Sequence, residues 1–484
     1  MLTARRCVRC VRAARLHSSL GNIGQPTPET HPQLMAAGEV TPGVSAREYA
    51  ARRAALASSM PEGSVAVLLS APPLRYHGTV IPVPSAYRQD SDLFYLTGVA
   101  QPECAAVLEK RGGGAHLTLL TPPVDSVDRT WHGPRVCASA GLHFFGADET
   151  ANSEALGAVL DAALRTARGA LLCDLPQPGT SVMHEALRCA GARLAAGSVS
   201  PLRPVVAKLR WRKSHAEQAL MRASALAAAG GLAAAAGAAR AGRTEAAPAS
   251  AFEAFVRNAG AQRLAYPSVC GAGDAACAVH HGRYDGALIG GQTMLMDAGC
   301  ELHGYVSDVT RTWPLSRRFT RPQRLLYDAV RGAHRAALEA VRPGATLAQL
   351  HAASVEHLSR AISDLGLIPN ASHAQVARGA YFRLYPHALG HFLGLDTHDT
   401  PSIPLSTPLQ PGVVLTIEPG LYVWPDALDV PAEFRGLGVR IEDDVLVMHE
   451  GCEVLSAAAP VDAEEVEDWA EAARELCARR DALM

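Results

Sequence analysis

The chain has 484 residues, enough for two or three domains with complete cores. It is 48% hydrophobic and 19% charged with a formal net charge of −2, the composition of a soluble globular protein. That near-neutral balance excludes a general electrostatic attraction to nucleic acid or to an anionic membrane, and no basic patch stands out in the body of the chain.

Residues 1–31 differ in texture from the rest of the chain. Arg5, Arg6, Arg9, Arg12 and Arg15 occur with no acid before Glu29, and Ser18 and Ser19 come after them. An arginine-rich, acid-poor segment lacking a long apolar centre has the composition of a mitochondrial transit peptide rather than a secretory signal; a disordered basic tail is the alternative. The 11 cysteines are scattered, the single C-x-x-C (Cys7 to Cys10) lies inside this segment, and no paired zinc spacing occurs. That usage fits a reducing interior in which cysteines act as small core residues.

Residues 32–205 read as an α/β domain. "SVAVLLS" (64–70), "AHLTLLTP" (115–122) and "ALLCDLP" (170–176) have strand character, and "SAREYAARRAALASSM" (45–60) predicts a helix capped by Ser45. Strands alternating with helices predict a mixed or parallel sheet. Around Pro201–Lys213 the texture turns to Pro, Arg and Lys, which marks a boundary, and an Ala-rich helix is expected over 214–240. The uncharged Ala/Gly run at 223–239 holds only two leucines and reads as too short and too weakly apolar to span a bilayer.

The second domain is expected over 206–460. Its strand-like runs are "QTMLMDAG" (292–299), "GYVSDVTRTWP" (304–314), "GVVLTIEPGLYV" (412–423) and "GVRIEDDVLVM" (438–448). Helical patterns at 321–341 and 346–366 separate the first two runs from the last two. Residues 461–484 predict a terminal helix with acids first and Arg479 and Arg480 last, the order its dipole favours.

Two features of this second half carry chemistry. "YPHALGHFLGLDTHDTP" (385–401) holds His387, His391 and His398. The His387–His391 spacing matches a zinc-protease helix, but no Glu follows His387, and Gly390 and Gly394 disfavour a helix; a strand would also put both histidines on one face. The other feature is a set of carboxylates inside apolar strand-like runs: Asp297, Asp308, Glu418 and Glu442. Buried carboxylates are costly and repel one another unless cations compensate them, and two divalent ions would make their convergence favourable. With one imidazole added, the donor set is rich in oxygen and free of thiolate, which suits Mn²⁺, with Zn²⁺, Co²⁺ or Fe²⁺ as alternatives. Asp443 and Asp444 read as solvated strand-end acids, and His334, His351, His357 and His373 as surface residues.

"MDAGCELHGYVSDVTRTWP", "HALGHFLGLDTHD", "TIEPGLY" and "FRGLGVRIEDD" resemble, in order and spacing, the metal-binding motifs of the pita-bread metallopeptidases, over roughly residues 205–460. That family includes aminopeptidase P, prolidase, methionine aminopeptidase and creatinase. "GQPTPETHPQLMAAGEVTPGVSAREYAARRAALA" and "YRQDSDLFYLTG" resemble the amino-terminal domain of aminopeptidase P, and with the Arg-rich leader the match is nearest its mitochondrial branch. The resemblance implies a creatinase/aminopeptidase-P-like α/β domain followed by a pita-bread catalytic domain, an α/β (α+β) protein overall.

The same resemblance implies two divalent ions held by Asp297, Asp308, His391, Glu418 and Glu442, with a water activated between them. His280, His387 and His398 match the family's substrate-handling histidines, His280 and His398 on the peptide, and Arg440 supports the site. Glu418 is implied as the proton shuttle and His387 as a partner of the developing oxyanion. His280-His281 replaces the His-Tyr often found in the family, so His281 competes for the role given to His280. The implied activity is hydrolysis of Xaa-Pro-Yaa peptides after the first residue, in the mitochondrial matrix and as a second location the cytosol. No nucleic-acid or membrane partner is implied, and a homodimer or homotetramer is. A prolidase on the same fold is the alternative enzyme, and a non-catalytic binding protein the alternative of another class.

Overall fold

The computed structural model describes residues 22–73, 87–123, 126–167, 169–175, 181–194 and 198–482. Most of the expected leader, with Cys7 and Cys10, lies outside them. The chain divides into two compact units between Arg210 and Trp211.

In the first unit, six strands form one mixed sheet: β1 (Val65–Leu69), β2 (Ala105–Arg111), β3 (Gly114–Thr121), β4 (Glu149–Asn152), β5 (Leu171–Leu172) and β6 (Val199–Ser200), in the order β4-β3-β2-β1-β5-β6. β1, β2 and β3 pair antiparallel, while β4, β5 and β6 join in parallel. Val65 and Val67 of β1 face one side with Val107 and Leu120, packed against Leu156 and Leu160 of helix α2 (Leu156–Thr166) and Leu187 of α3 (Val182–Ala192). Ala66 and Leu68 are buried too, so β1 reads as a continuous apolar run because both sheet faces are covered. The helix predicted at 45–60 is α1 (Ala46–Ser59), and the Ser45 side chain accepts the Glu48 N–H at its start. Of the strand expected at 170–176, Leu171–Leu172 are regular strand beside the two residues of β6, the Cys173 N–H still donates to the Ser200 carbonyl at 3.0 Å, and Pro176 lies outside the described residues.

The second unit opens on α4 (His215–Ala238), started by a capping box between Ser214 and Glu217. By length and composition this helix is long and apolar enough to cross a membrane, unlike the 223–239 run read alone, but most of it is buried. Its apolar positions Ala228, Leu232 and Ala236 belong to the main core, together with Phe252 and Val256 of α5 (Ala246–Asn258), Leu326 and Val330 of α6 (Arg321–Ala340) and Leu358 of α7 (Leu347–Asp364). The terminal helix α8 (Ala463–Ala482) adds Val466 and Ala470 to the same core.

Three small antiparallel sheets carry the centre of this unit. β7 (Val269–Ala272), β8 (Thr293–Ala298) and β9 (Val309–Pro314) form the first; β10 (Val414–Ile417), β13 (Asp443–Val447) and β14 (Cys452–Val454) the second; β11 (Gly420–Val423) and β12 (Leu437–Arg440) the third. A bridge from Thr310 to Glu442 links β9 to the stretch of chain between β12 and β13. The segment holding His387 and His391 is neither helix nor regular strand. It runs beside β10, with the His391 carbonyl accepting the Thr416 N–H at 2.9 Å and the Leu389 carbonyl accepting the Glu418 N–H at 2.8 Å. Gly390 permits that approach, since a Cβ there would lie 2.0 Å from the Thr416 carbonyl oxygen. Gly390→Ala is therefore expected to push this segment off β10 and cost about 1–3 kcal/mol. Thermal unfolding reads it, and an unchanged melting temperature would contradict the contact.

Candidate metal centre

Three of the four carboxylates expected inside strands sit instead where strands break. Asp308 precedes β9, Glu418 falls between β10 and β11, and Glu442 between β12 and β13, while Asp297 alone lies within a strand, β8. A regular ladder would alternate side chains strictly between two faces, and a break re-aims them. At Glu418 the break is enforced by Pro419, which has no N–H for a ladder bond.

These breaks converge. Ligand atoms of Asp308, His391 and Glu442 all lie within 4.8 Å of one another. His391 Nε2 is 3.5 Å from Asp308 Oδ2 and 3.6 Å from Glu418 Oε1. Asp297 borders the group through Tyr266, whose hydroxyl lies between Asp297 Oδ1 and Asp308 Oδ1, and through Arg440, whose Nη2 donates to Asp297 Oδ2 at 2.6 Å. The His391 Nδ1–H donates to the Phe392 carbonyl at 3.2 Å, which orients the ring with Nε2 facing the carboxylates.

The electrostatics are those of acids crowded together. Burial lifts Asp297 to about 6 against the pull of Arg440, and repulsion from Asp308 adds to it. Burial likewise lifts Glu418 to about 7, opposed by His391 and Arg440. Glu442 stands well above the carboxylate range through burial and the charges of Asp308 and Glu418. Burial pulls His391 down, but Asp308 and Glu418 outweigh it and raise the imidazole to about 9. Such a cluster asks for positive charge, and carboxylates plus one imidazole are donors for a hard or borderline divalent ion. The residues fit that group.

The histidines surround the cluster. The His398 ring stands edge-on to His391 with centroids 4.4 Å apart. His387 Nδ1 is 3.8 Å from Glu418 Oε2, and burial first, then Arg440, hold this imidazole down at about 4. His280 is exposed and near enough to lower both His387 and His398 electrostatically. His281 turns elsewhere, its Nε2 lying 3.1 Å from the buried Glu245 carboxylate, which also accepts the Ala272 and Gly286 N–H groups.

Several contributors escaped the sequence reading. Thr310 Oγ1 donates to Glu442 Oε2 at 2.6 Å, and the Tyr422 hydroxyl links His387 Nε2 to Arg440 Nη1 at 2.9 Å on each side. Tyr422 lies in the quoted "TIEPGLY" and Thr310 two places after Asp308, so position was their only signal. Asp443 and Asp444 are buried rather than solvated. Asp444 accepts the Asp308 N–H at 3.2 Å, and burial together with Asp308 raises its carboxyl. Asp443 accepts from Arg311 Nη2 and Ser456 Oγ at 2.6 Å each and faces His334 Nε2 at 3.1 Å; burial opposes its ionisation, but Arg311 and His334 outweigh it and hold the carboxyl low. His334 is accordingly a core residue, not a surface one.

Arg311 also donates to the Glu442 and Thr310 carbonyls at 2.6 and 2.8 Å, so it fixes the backbone that carries Glu442. Arg311→Met would strip the buried Asp443 carboxylate of its guanidinium partner and is expected to cost about 3–5 kcal/mol. Urea unfolding of the metal-free protein measures it, and a loss below about 1 kcal/mol would contradict a stabilising role for the pair.

Comparison with known proteins gives the family. Residues 219–449 match metallopeptidase family M24, and residues 49–172 match the aminopeptidase P N-terminal domain. The mitochondrial intermediate cleaving peptidase 55 of Arabidopsis thaliana is 36% identical over 94% of this chain and 89% of its own length. Human Xaa-Pro aminopeptidase 3 is 35% identical over 92% of this chain and 90% of its own. Among solved structures, aminopeptidase P from E. coli superposes with a TM-score of 0.83 at 31% identity, covering 89% of this chain and 99% of that one. The fold and the crowded carboxylate centre are those of a hydrolytic metalloprotease. The chain belongs to metallopeptidase family M24, with an aminopeptidase P N-terminal domain ahead of the catalytic one.

Proposed function

We propose that this protein is an Xaa-Pro aminopeptidase, removing the first residue from peptides with proline in second position by metal-dependent hydrolysis. The observation that carries the reading is the convergence of Asp308, His391 and Glu442 within 4.8 Å, in a chain that matches aminopeptidase P along both units. Asp297, Asp308, His391, Glu418 and Glu442 are assigned to hold two divalent ions, and the oxygen-rich donor set favours Mn²⁺ over Zn²⁺, Co²⁺ or Fe²⁺. When bound, the ions supply Lewis acidity that polarises a carbonyl and acidifies water.

The chain's own residues do the rest. Glu418 accepts the proton from water and delivers it to the leaving nitrogen, which as a prolyl amide carries no N–H and cannot depart unprotonated. His387 offers the Nδ1–H it shares with the Ala388 carbonyl to the developing oxyanion. Arg440 neutralises and orients Asp297 from a fully buried position. His280 and His398 flank the peptide, and the Glu245 contact of His281 favours His280 for this role. A mitochondrial location is supported by the Arg-rich leader and by the Arabidopsis relative named as mitochondrial. The matrix is the compartment proposed, and a homodimer or homotetramer the assembly.

Chelator-stripped protein should regain activity with Mn²⁺ and release the first residue of Xaa-Pro-Yaa tripeptides. Xaa-Pro dipeptides cut alone would make it a prolidase. Release from peptides lacking the proline would favour the intermediate-cleaving activity named for the Arabidopsis relative. Silence on every substrate and metal would favour a binding protein. Glu418→Ala is expected to lower turnover by at least about 100-fold; a variant keeping more than a few per cent of activity would remove Glu418 from the proton-transfer role.

A further inference from the structure

We infer that Lys213 is a positioning residue for His398, acting through a buried ion pair with Asp399. The inference rests on the proposed contact of His398 with the peptide. Lys213 Nζ lies 3.0 Å from Asp399 Oδ2, and both side chains are 1% exposed. The same ammonium donates to the Trp211 carbonyl at 3.3 Å. Its backbone is anchored on both sides: the Lys213 N–H donates to the Gly412 carbonyl at 2.7 Å, and its own carbonyl accepts from Gln218 Nε2 at 2.9 Å. Ser214, the next residue, caps α4. The cation is presented from a rigid base.

On the other side, the loop at 394–400 is folded around the carboxylate. The Asp399 N–H donates to the Phe392 carbonyl at 2.8 Å, and Asp399 Oδ1 accepts the Asp396 N–H at 3.4 Å. A Cβ on Gly394 would lie 2.6 Å from Asp399 Oδ2 and 2.9 Å from Lys213 Cε, so a residue without a side chain makes room for the pair. Thr400, immediately after, holds a left-handed φ of 49°, a conformation that a β-branched residue keeps only where its surroundings impose it. His398 therefore stands between a pinned carboxylate and the His391 ring. A fully buried ion pair contributes little net stability compared with an apolar pair, and in some proteins it selects one geometry over others. Holding the His398 loop in that one geometry is the role of the pair.

The test uses the full-length, Mn²⁺-loaded protein with an Xaa-Pro-Yaa tripeptide, comparing Lys213→Met, the double variant Lys213→Met/Asp399→Leu, His398→Ala and the triple combination. The double variant removes both charges, so it supplies folded protein even where the single change leaves an unpaired acid. We expect KM to rise about tenfold or more in the double variant, with kcat within about threefold and bound metal by mass spectrometry unchanged. Added to His398→Ala, the double change should raise KM no further, because the pair works through that histidine. An unchanged KM in the double variant, a loss of bound metal, or a full multiplicative effect on top of His398→Ala would each overturn the inference. Unchanged KM in His398→Ala itself would instead remove the substrate role of that histidine, and this inference with it.

Discussion

The structure of the second unit turns on one electrostatic problem: several carboxylates are buried in a space a few ångströms across. Each resists ionisation there, and each makes its neighbours worse. The fold answers with groups that supply partial or full positive charge from fixed directions. Arg440 reaches Asp297, Thr310 donates to Glu442, and His391, its Nδ1–H held by a backbone carbonyl, turns Nε2 toward Asp308 and Glu418. Divalent ions complete what these groups begin. The centre is less a set of ligands than a deficit of positive charge built into a core.

Building that deficit needs strands that stop at the right residues. The antiparallel register puts Asp297 opposite Thr310, and the bridge puts Thr310 opposite Glu442, so one threonine stands between two acids on different sheets. Pro419 interrupts the ladder after Glu418. Gly299 does similar work beside Asp297, where a Cβ would collide with the Ser307 carbonyl 1.7 Å away. Beneath the acids, Arg311, Asp443, His334 and Ser456 form a buried polar cluster, and Arg311 holds the Glu442 carbonyl.

The same physics decided how much of this was legible in the sequence. Carboxylates inside apolar runs are anomalies in a linear pattern, so Asp297, Asp308, Glu418 and Glu442 could be picked out by charge alone, and their spacing with the histidines carried the family resemblance. The large helices were visible through their period and caps, as with Ser45 and Ser214. The hydroxyl residues were not, because a threonine in a strand or a tyrosine after a turn is ordinary until its partner is known. Asp443 and Asp444 misled for the reverse reason: adjacent acids near a strand end look solvated, and nothing local announces that Arg311 lies 132 positions away waiting for one of them. The strand breaks were hidden for a related cause, since period-two alternation runs through Asp308 and Glu442 without a pause.

The bridge between Thr310 and Glu442 has a bearing on how the molecule is made. It joins residues 132 positions apart, and the Arg440 contact with Asp297 spans 143. The donors Asp297, Asp308, His391, Glu418 and Glu442 are spread over the same stretch of chain, so the centre is complete only when these distant segments have met. Such long-range pairing forms late and slowly. In small zinc domains the metal drives folding; here the long-range contacts build the place for the ion, and an ion that binds only the closed structure adds to its stability.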